Sequence, residues 1–182
     1  MLKNRNEIEP MNLITRVDQI DWHIWKPDHS DTLMFIVDQG QVLLIRKKRG
    51  LGAGKINGPG GKINPGESPL QGAIRETQEE LHVTPLNVRE CGKLRFHSDD
   101  FGKILGYVFV ADGFEGTVTE TDEAAPLWTP IESIPFHEMW EDDIYWLPHV
   151  LFGKSVDARF VFEGESLLDY QIAVDGDLLN LR

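Results

Sequence analysis

The sequence predicts an α+β domain built on a mixed β-sheet, and three observations carry that expectation. Runs rich in β-branched and aromatic residues lie before and after two helical stretches, without the regular strand and helix alternation of a parallel α/β fold. A loop punctuated by glycine and proline runs directly into a capped, amphipathic helix. The 182 residues, 41% hydrophobic and 26% charged, suffice for one core and match an ordinary globular chain.

Residues 1–30 read as an N-terminal extension and residues 31–182 as the folded domain. The extension opens on MLKNRNEIEP, a polar stretch expected to be mobile. Val17, Ile20, Trp22, Ile24 and Trp25 are too apolar for water, so this part is expected to pack on the domain or on a partner chain. Thr32 to Val37 and Gln41 to Lys47 then read as a hairpin turned by Asp38, Gln39 and Gly40. Lys47, Lys48 and Arg49 follow, then Gly50, Gly52 and Gly54. With Lys55 and Lys62 they set positive charge where a polyphosphate is a natural partner, although a solvated strand end is the plainer reading of Lys48 and Arg49.

The stretch NGPGGKINPGESPLQGAIRETQEELHV, Asn57 to Val83, is the most informative part of the chain. Its glycines and prolines exclude regular structure up to Gly66. Ser68 suits a helix N-cap, Pro69 the first helical position, and Gln71 completes a capping box. Leu70, Ala73, Ile74, Thr77 and Leu81 repeat as one buried stripe. Glu76, Glu79 and Glu80, at spacings of three and four, are expected on one exposed side, where each like pair repels by roughly a few tenths of a kcal/mol. Arg75 meets Glu79 at i+4 but cannot neutralise all of these together with Glu67. A divalent ion can, and oxygen donors without Cys or His favour a hard one, Mg²⁺ or Mn²⁺. The plain alternative is a solvated acidic helix face.

Beyond the helix, Val88 to Phe96 and Ile104 to Ala111 are strand candidates joined by a polar turn containing Ser98, Asp99, Asp100 and Gly102. Phe114 to Asp122 reads as turn-rich, and Leu127 to Trp128 as a short strand before Pro130. In FHEMWEDDIYWLPHVLFG, Asp142 or Asp143 can cap a helix running to about Phe152 and limited by Pro148. Arg159 to Phe162 and Leu167 to Val174 make a closing hairpin.

The net charge of −12 opposes binding to nucleic-acid polymers, which depends on Lys and Arg meeting phosphates. Nothing in the sequence reads as a membrane span or a secretory signal. Cys91, the single cysteine, is expected as a small buried hydrophobe, and a reducing compartment such as the cytoplasm follows.

From Gly61 to Val83 the chain resembles the Nudix box, G-x5-E-x7-R-E-U-x-E-E-x-G-U, through Gly61, Glu67, Arg75, Glu76, Glu79, Glu80 and Val83. Thr77 departs from it where a large aliphatic residue is usual. His82 replaces the glycine that ends the helix in a left-handed conformation, where a side chain costs roughly 1 kcal/mol. From Thr32 to Ile172 the chain is similar to the animal-type 8-oxo-dGTP diphosphatases within the Nudix hydrolases, through KKRGLGAGKINGPGGK, TETDEAAPLW, IPFHEMWEDDIYWLP and LLDYQI. The residues before Thr32 have no counterpart in that resemblance.

The resemblance implies a Nudix fold, a mixed sheet between helices. It implies metal ligation by the Gly60 carbonyl and by Glu76, Glu80 and Glu123, with Glu79 and Glu67 supporting the metal, the attacking water or Arg75. The identity of the base, Glu79 or Glu123, stays open, as does the phosphorus attacked. It also implies a purine pocket of Asn57, Trp140, Asp142 and Asp143 with Thr32, Leu33, Lys47 and Phe96 around it, and it puts Ser98 where a second aromatic residue usually lines that pocket.

Two carboxyls beside one base cannot both ionise cheaply, so one is expected protonated near neutral pH and able to donate. The expected activity is Mg²⁺-dependent hydrolysis of oxidised purine nucleoside triphosphates such as 8-oxo-dGTP or 2-hydroxy-dATP, by a monomer or by chains associating through the extension. Hydrolysis of undamaged nucleotides and a non-catalytic nucleotide-binding module are the rivals.

Overall fold

The computed structural model describes residues 13–179; MLKNRNEIEP lies outside them. β1 (His29–Asp38) and β2 (Gln41–Lys47) form the expected antiparallel hairpin, turned by Gln39 and Gly40 at φ of 48° and 78°. Pairing begins at His29, inside the segment assigned to the extension. In chain order follow β3 (Ile56–Asn57), α1 (Pro69–Leu81), β4 (Val83–Leu86), β5 (Arg89–Ser98), β6 (Gly102–Ala111), β7 (Gly113–Gly116) and β8 (Ala124–Pro130). The last elements are α2 (Asp143–Leu151), β9 (Val156–Glu163), β10 (Ser166–Val174) and β11 (Asp177–Leu178).

The main sheet runs β11-β10-β9-β5-β6-β1-β2-β3, with β8 also on β2. It is mixed because β1 runs parallel to β6, and β5 to β9, while the hairpins are antiparallel. One irregularity creates the site. β8 pairs along the whole of β2, whereas β1 pairs only with Gln41 to Leu43, so β1 and β2 diverge beyond Leu43. β3 fills the opening against Ile45 and Arg46. The chain after it then lies on β1, where Met34 N–H donates to Pro59 O and Thr32 N–H to Gly61 O, both at 2.8 Å.

Alternation along β1 divides the core. Met34 and Ile36 face α1 and pack with Ala73, Leu81 and Phe109, whereas Leu33 and Phe35 face α2 and pack with Trp146, Leu147 and Phe160. The sheet is thus held between two helices. Trp146 and Phe35 are fully buried, and truncating a side chain of that kind to Ala costs roughly 3–5 kcal/mol.

Two expectations fail on local grounds. The passage read as turn-rich contains β7, paired with β4 in a second small sheet; with four residues and Pro85, β4 carries too weak a signal. β8 spans seven residues instead of two, its prolines tolerated because Pro126 and Pro130 sit on an edge strand. The short β11 beyond the closing hairpin was not expected either.

Within the extension, Val17 is buried and its N–H donates to Asp169 Oδ2 at 2.8 Å, while the Arg159 guanidinium lies 5.4 Å from the Trp22 ring. This part packs on β9 and β10 of its own domain, although Ile24 stays 74% exposed.

Candidate active site

The capping box of α1 forms as expected: Gln71 N–H donates to Ser68 Oγ at 3.3 Å, and Ser68 N–H to Gln71 Oε1 at 2.8 Å. Its C-cap, His82, adopts φ 59° and ψ 28°, the left-handed conformation, with Nδ1 2.6 Å from Thr119 Oγ1. The buried stripe differs from the expected one. Leu70 is exposed and Ile74 half-buried, and the buried positions are Gly72, Ala73, Thr77, Glu80 and Leu81. Thr77 is accommodated because its hydroxyl donates to Ala73 O at 2.8 Å.

The three glutamates do not share an exposed face. Glu79 is 54% exposed at its side chain, Glu76 only 15%, and Glu80 is 2% exposed as a residue. Arg75 gathers most of the cluster, meeting Glu67 at 2.7 and 3.0 Å, Glu76 at 2.7 Å, Glu79 at 3.0 Å and Lys62 O at 2.9 Å. Its guanidinium, with the Asn64 N–H, holds the Glu67 carboxyl down to about 2, while burial raises Glu76 despite Arg75. Glu80 points elsewhere. Its Oε2 accepts the Gly60 N–H at 2.8 Å, and burial, reinforced by Glu76 and Glu123, lifts its carboxyl to about 7.

Gly60 is fixed by space, since a Cβ there would lie 1.9 Å from Thr32 O. At Gly61 a Cβ would meet the Glu76 carboxylate at 2.6 Å, so the loop lies directly against the acidic helix. Glu123, just before β8, is bonded to Arg49. With Glu76 taken by Arg75 and Glu123 by Arg49, no three His, Cys, Asp or Glu side chains among the described residues are already drawn to ligand spacing. The donors nonetheless suit a hard divalent ion: they are carboxylates only, and Glu80 lies close enough to Glu76 and Glu123 to feel the charge of both. The basic run is mostly committed to ion pairs, Lys48 with Glu120, Arg49 with Glu123 and Lys55 with Glu165, whereas Lys47 lines the cavity beside the loop.

That cavity lies on the α2 face, where β1 and β2 part. Thr32, Leu33, Lys47, Asn57, Gly60, Phe96, Trp140, Asp142 and Asp143 all line it, bringing together residues from five parts of the sequence. Leu51, Phe101, Ile104 and Phe162 line it too and were not foreseen. Ser98 does not; its Oγ accepts the Asp100 N–H at 3.1 Å and turns the β5–β6 hairpin. The second aromatic comes instead from that turn, as Phe101, 5.9 Å from Trp140 between ring centroids. Gly52, at φ 76°, lets the loop touch the same indole, since a Cβ there would lie 2.9 Å from Nε1.

Asp142 and Asp143 are 2% and 3% exposed. Asp142 occupies the N-cap of α2 without making the capping bond; its Oδ2 accepts Trp146 Nε1–H at 2.8 Å. Asp143 Oδ2 accepts the Trp140 N–H at 3.0 Å. Burial pushes both carboxyls upward, and the charge of Asp142 pushes Asp143 further. Both carboxyls are therefore biased toward their neutral form.

The NUDIX domain family matches residues 27–150. The oxidized purine nucleoside triphosphate hydrolase of Danio rerio is 41% identical over 138 residues, covering 75% of this chain and 88% of its own length. The protein of the same description from Mus musculus is 36% identical over 143 residues, 78% of this chain and 92% of its own. A MutT protein from Bacillus halodurans superposes with a TM-score of 0.72 at 28% identity, covering 79% of this chain and 97% of that one. An acidic loop-and-helix site, a mixed sheet between two helices and these matches agree: the chain belongs to the Nudix family.

Proposed function

We propose that this chain hydrolyses oxidised purine nucleoside triphosphates, 8-oxo-dGTP foremost, to the monophosphate and pyrophosphate. The observation that carries the reading is a continuous cavity. It is lined by the Trp140 indole, the two buried carboxyls Asp142 and Asp143 and by Asn57, and equally by Lys47 and by Gly60 and Gly61 of the loop on the acidic helix. Trp140 stacks on the purine, Asn57 offers donor and acceptor, and the Asp142/Asp143 pair donates one hydrogen bond and accepts another. Leu33, Thr32 and Phe96 close the walls, and Lys47 meets the phosphates. The relatives' printed names support the same substrate class.

Mg²⁺ or Mn²⁺ would be held by Glu76, Glu80, Glu123 and the Gly60 carbonyl. When bound, such an ion neutralises phosphate charge and lowers the pKa of a water for attack on phosphorus. The chain's own contribution is placement: Gly60 N–H orients Glu80, and Arg75 holds Glu67, Glu76 and Glu79 in register. Glu79, the most exposed carboxylate that Arg75 holds, accepts the proton of the attacking water. The unit works as a monomer, with the residues before β1 as an extension. Its single, buried Cys91 suits the reducing cytoplasm. No helix among the described residues is long and apolar enough to cross a membrane.

Pyrophosphate release measured with Mg²⁺ over a panel of normal and oxidised dNTPs tests this. The expected result is preference for 8-oxo-dGTP over dGTP. Equal turnover of the two would mean an unspecific Nudix hydrolase, and no turnover of any would mean a binding module.

A further inference from the structure

In the reading above, base and phosphates have partners and the sugar has none. One carboxylate oxygen in the cavity is also left without a hydrogen bond. Asp31 precedes Thr32 on β1, and alternation puts it on the face of Leu33 and Phe35, toward the cavity it lines. The neighbouring strand supplies Gly106 directly opposite it, and Gly106 lines the same cavity, so no side chain from that position covers the carboxylate. Asp31 Oδ1 is buried and makes no hydrogen bond; His29 Nε2 stands 3.4 Å away, outside hydrogen-bonding geometry. A buried acceptor without a donor is costly, and a bound ligand is one way to supply the donor.

Position narrows the ligand group. The backbone of Asp31 pairs in a β-bridge with that of Lys62, next to Gly61 of the phosphate loop, and Asp31 shares the cavity with the base-binding groups Asn57, Asp142 and Asp143. It therefore stands where the link between base and phosphates must pass. A carboxylate repels phosphate oxygens, and the base edge is served by other residues. In that stretch of a nucleotide the donors are sugar hydroxyls, of which a deoxyribonucleotide has one. We propose that Asp31 is the sugar-recognising residue of this site, its Oδ1 accepting a hydrogen bond from the 3′-hydroxyl. This rests on the nucleotide reading and extends it to the sugar. Burial raises the carboxyl, and His29, Lys62 and Lys47 each oppose that rise.

The test is calorimetric titration of the full chain, wild type, Asp31→Ala and Asp31→Asn, with 8-oxo-dGMP and its 2′,3′-dideoxy counterpart in Mg²⁺. Wild type is expected to bind the deoxy form roughly tenfold more tightly, the size of one hydrogen bond to a charged acceptor. Asp31→Ala should bind the two alike. Asp31→Asn, whose amide oxygen still accepts, should restore part of the difference and controls for folding. With 8-oxo-dGTP, Asp31→Ala should raise KM and leave kcat unchanged. Equal affinity of wild type for both ligands, or equal weakening of both in Asp31→Ala, overturns the assignment. Failure of wild type to bind either oxidised ligand counts against the proposed function instead; the same comparison with dGMP and its 2′,3′-dideoxy form then decides the role of Asp31.

Discussion

Two acidic clusters, one on α1 and one at the start of α2, are built from the same kind of group and held in different states. Around Arg75 the carboxylates are met by four guanidinium hydrogen bonds, and Glu67 falls to about 2. Around Trp140 the partners are an indole N–H and a backbone N–H, the nearest cation is Lys55 acting from a distance, and both Asp142 and Asp143 are pushed upward. Desolvation and the presence of a cation, not residue type, decide which cluster stays ionised and which is held toward the neutral form; in the proposed function the first meets metal and phosphate and the second reads a neutral base edge. Glu80 lies between the two regimes, buried like the aspartates yet coupled to the glutamates.

The largest effect should come from Glu80→Gln. The amide oxygen can still accept the Gly60 N–H, so the melting temperature should barely change, while turnover falls by about 10²–10³-fold with the lost charge. Glu80 is buried, not exposed as its helical spacing suggests, so it is the retained hydrogen bond that spares the fold. Steady-state rates with a thermal melt check this, and undiminished turnover would remove Glu80 from the phosphate end.

Next come Asp142→Asn and Asp143→Asn. Either freezes a fixed donor and acceptor pattern where a shared proton gave a choice, so preference for 8-oxo-dGTP over dGTP should drop on the order of 10²-fold. The kcat on the better remaining substrate should stay close to wild type. Relative kcat/KM across the two substrates is the readout. Unchanged preference in both variants would erase the distinction between the clusters.

The phosphate end was legible because its parts are local. Gly61, Glu67, Arg75, Glu76, Glu79 and Glu80 fall within one loop and helix, so spacing fixes their order along it. Helical spacing alone misjudged exposure, since the wedge of Gly58 to Gly61 between β1 and β2 covers Glu80, and only the sheet's divergence shows that. The base end draws on β1, β3, β5, β6 and α2. Asn57, Trp140, Asp142 and Asp143 were reached only through family resemblance, and Phe101, Leu51 and Asp31 carry no sequence signal of cavity position. Ser98 was misread because aligned sequence position was taken for position in space, and the hairpin turn moves the aromatic to Phe101.

A third effect concerns pH and stability. In the unfolded chain the two aspartates titrate near 3.8, and in the folded one they titrate higher, Asp142 at about 7. Groups so raised favour the fold at low pH, and that contribution declines as pH rises from about 4 through 7. Urea midpoints for the metal-free protein should therefore fall between pH 5 and pH 8, by roughly 1–3 kcal/mol in stability, with the slope reduced in Asp143→Asn. Some slope should persist from Glu80 and Glu76, which burial also raises. A slope unaffected by Asp143→Asn would show that the pair is ionised after all.

The smallest effect, at His82, asks whether the phosphate end depends on how its helix stops. His82 holds φ 59° where the family pattern has glycine, at a cost of roughly 1 kcal/mol. Its bond to Thr119 is exposed and offsets about 0.5 kcal/mol of that. Relief of strain should slightly outweigh loss of the bond, so His82→Gly is expected to raise the melting temperature by about 1–2 °C. His82→Ala, which keeps the strain and loses the bond, should lower it by a similar amount. Turnover should be the same in both variants, because Glu80 is positioned by Gly60 and Glu76 by Arg75, upstream of the cap. A tenfold change in kcat in either variant would mean that the helix end sets the carboxylates, and that the phosphate site reaches past Glu80 to the turn beyond it.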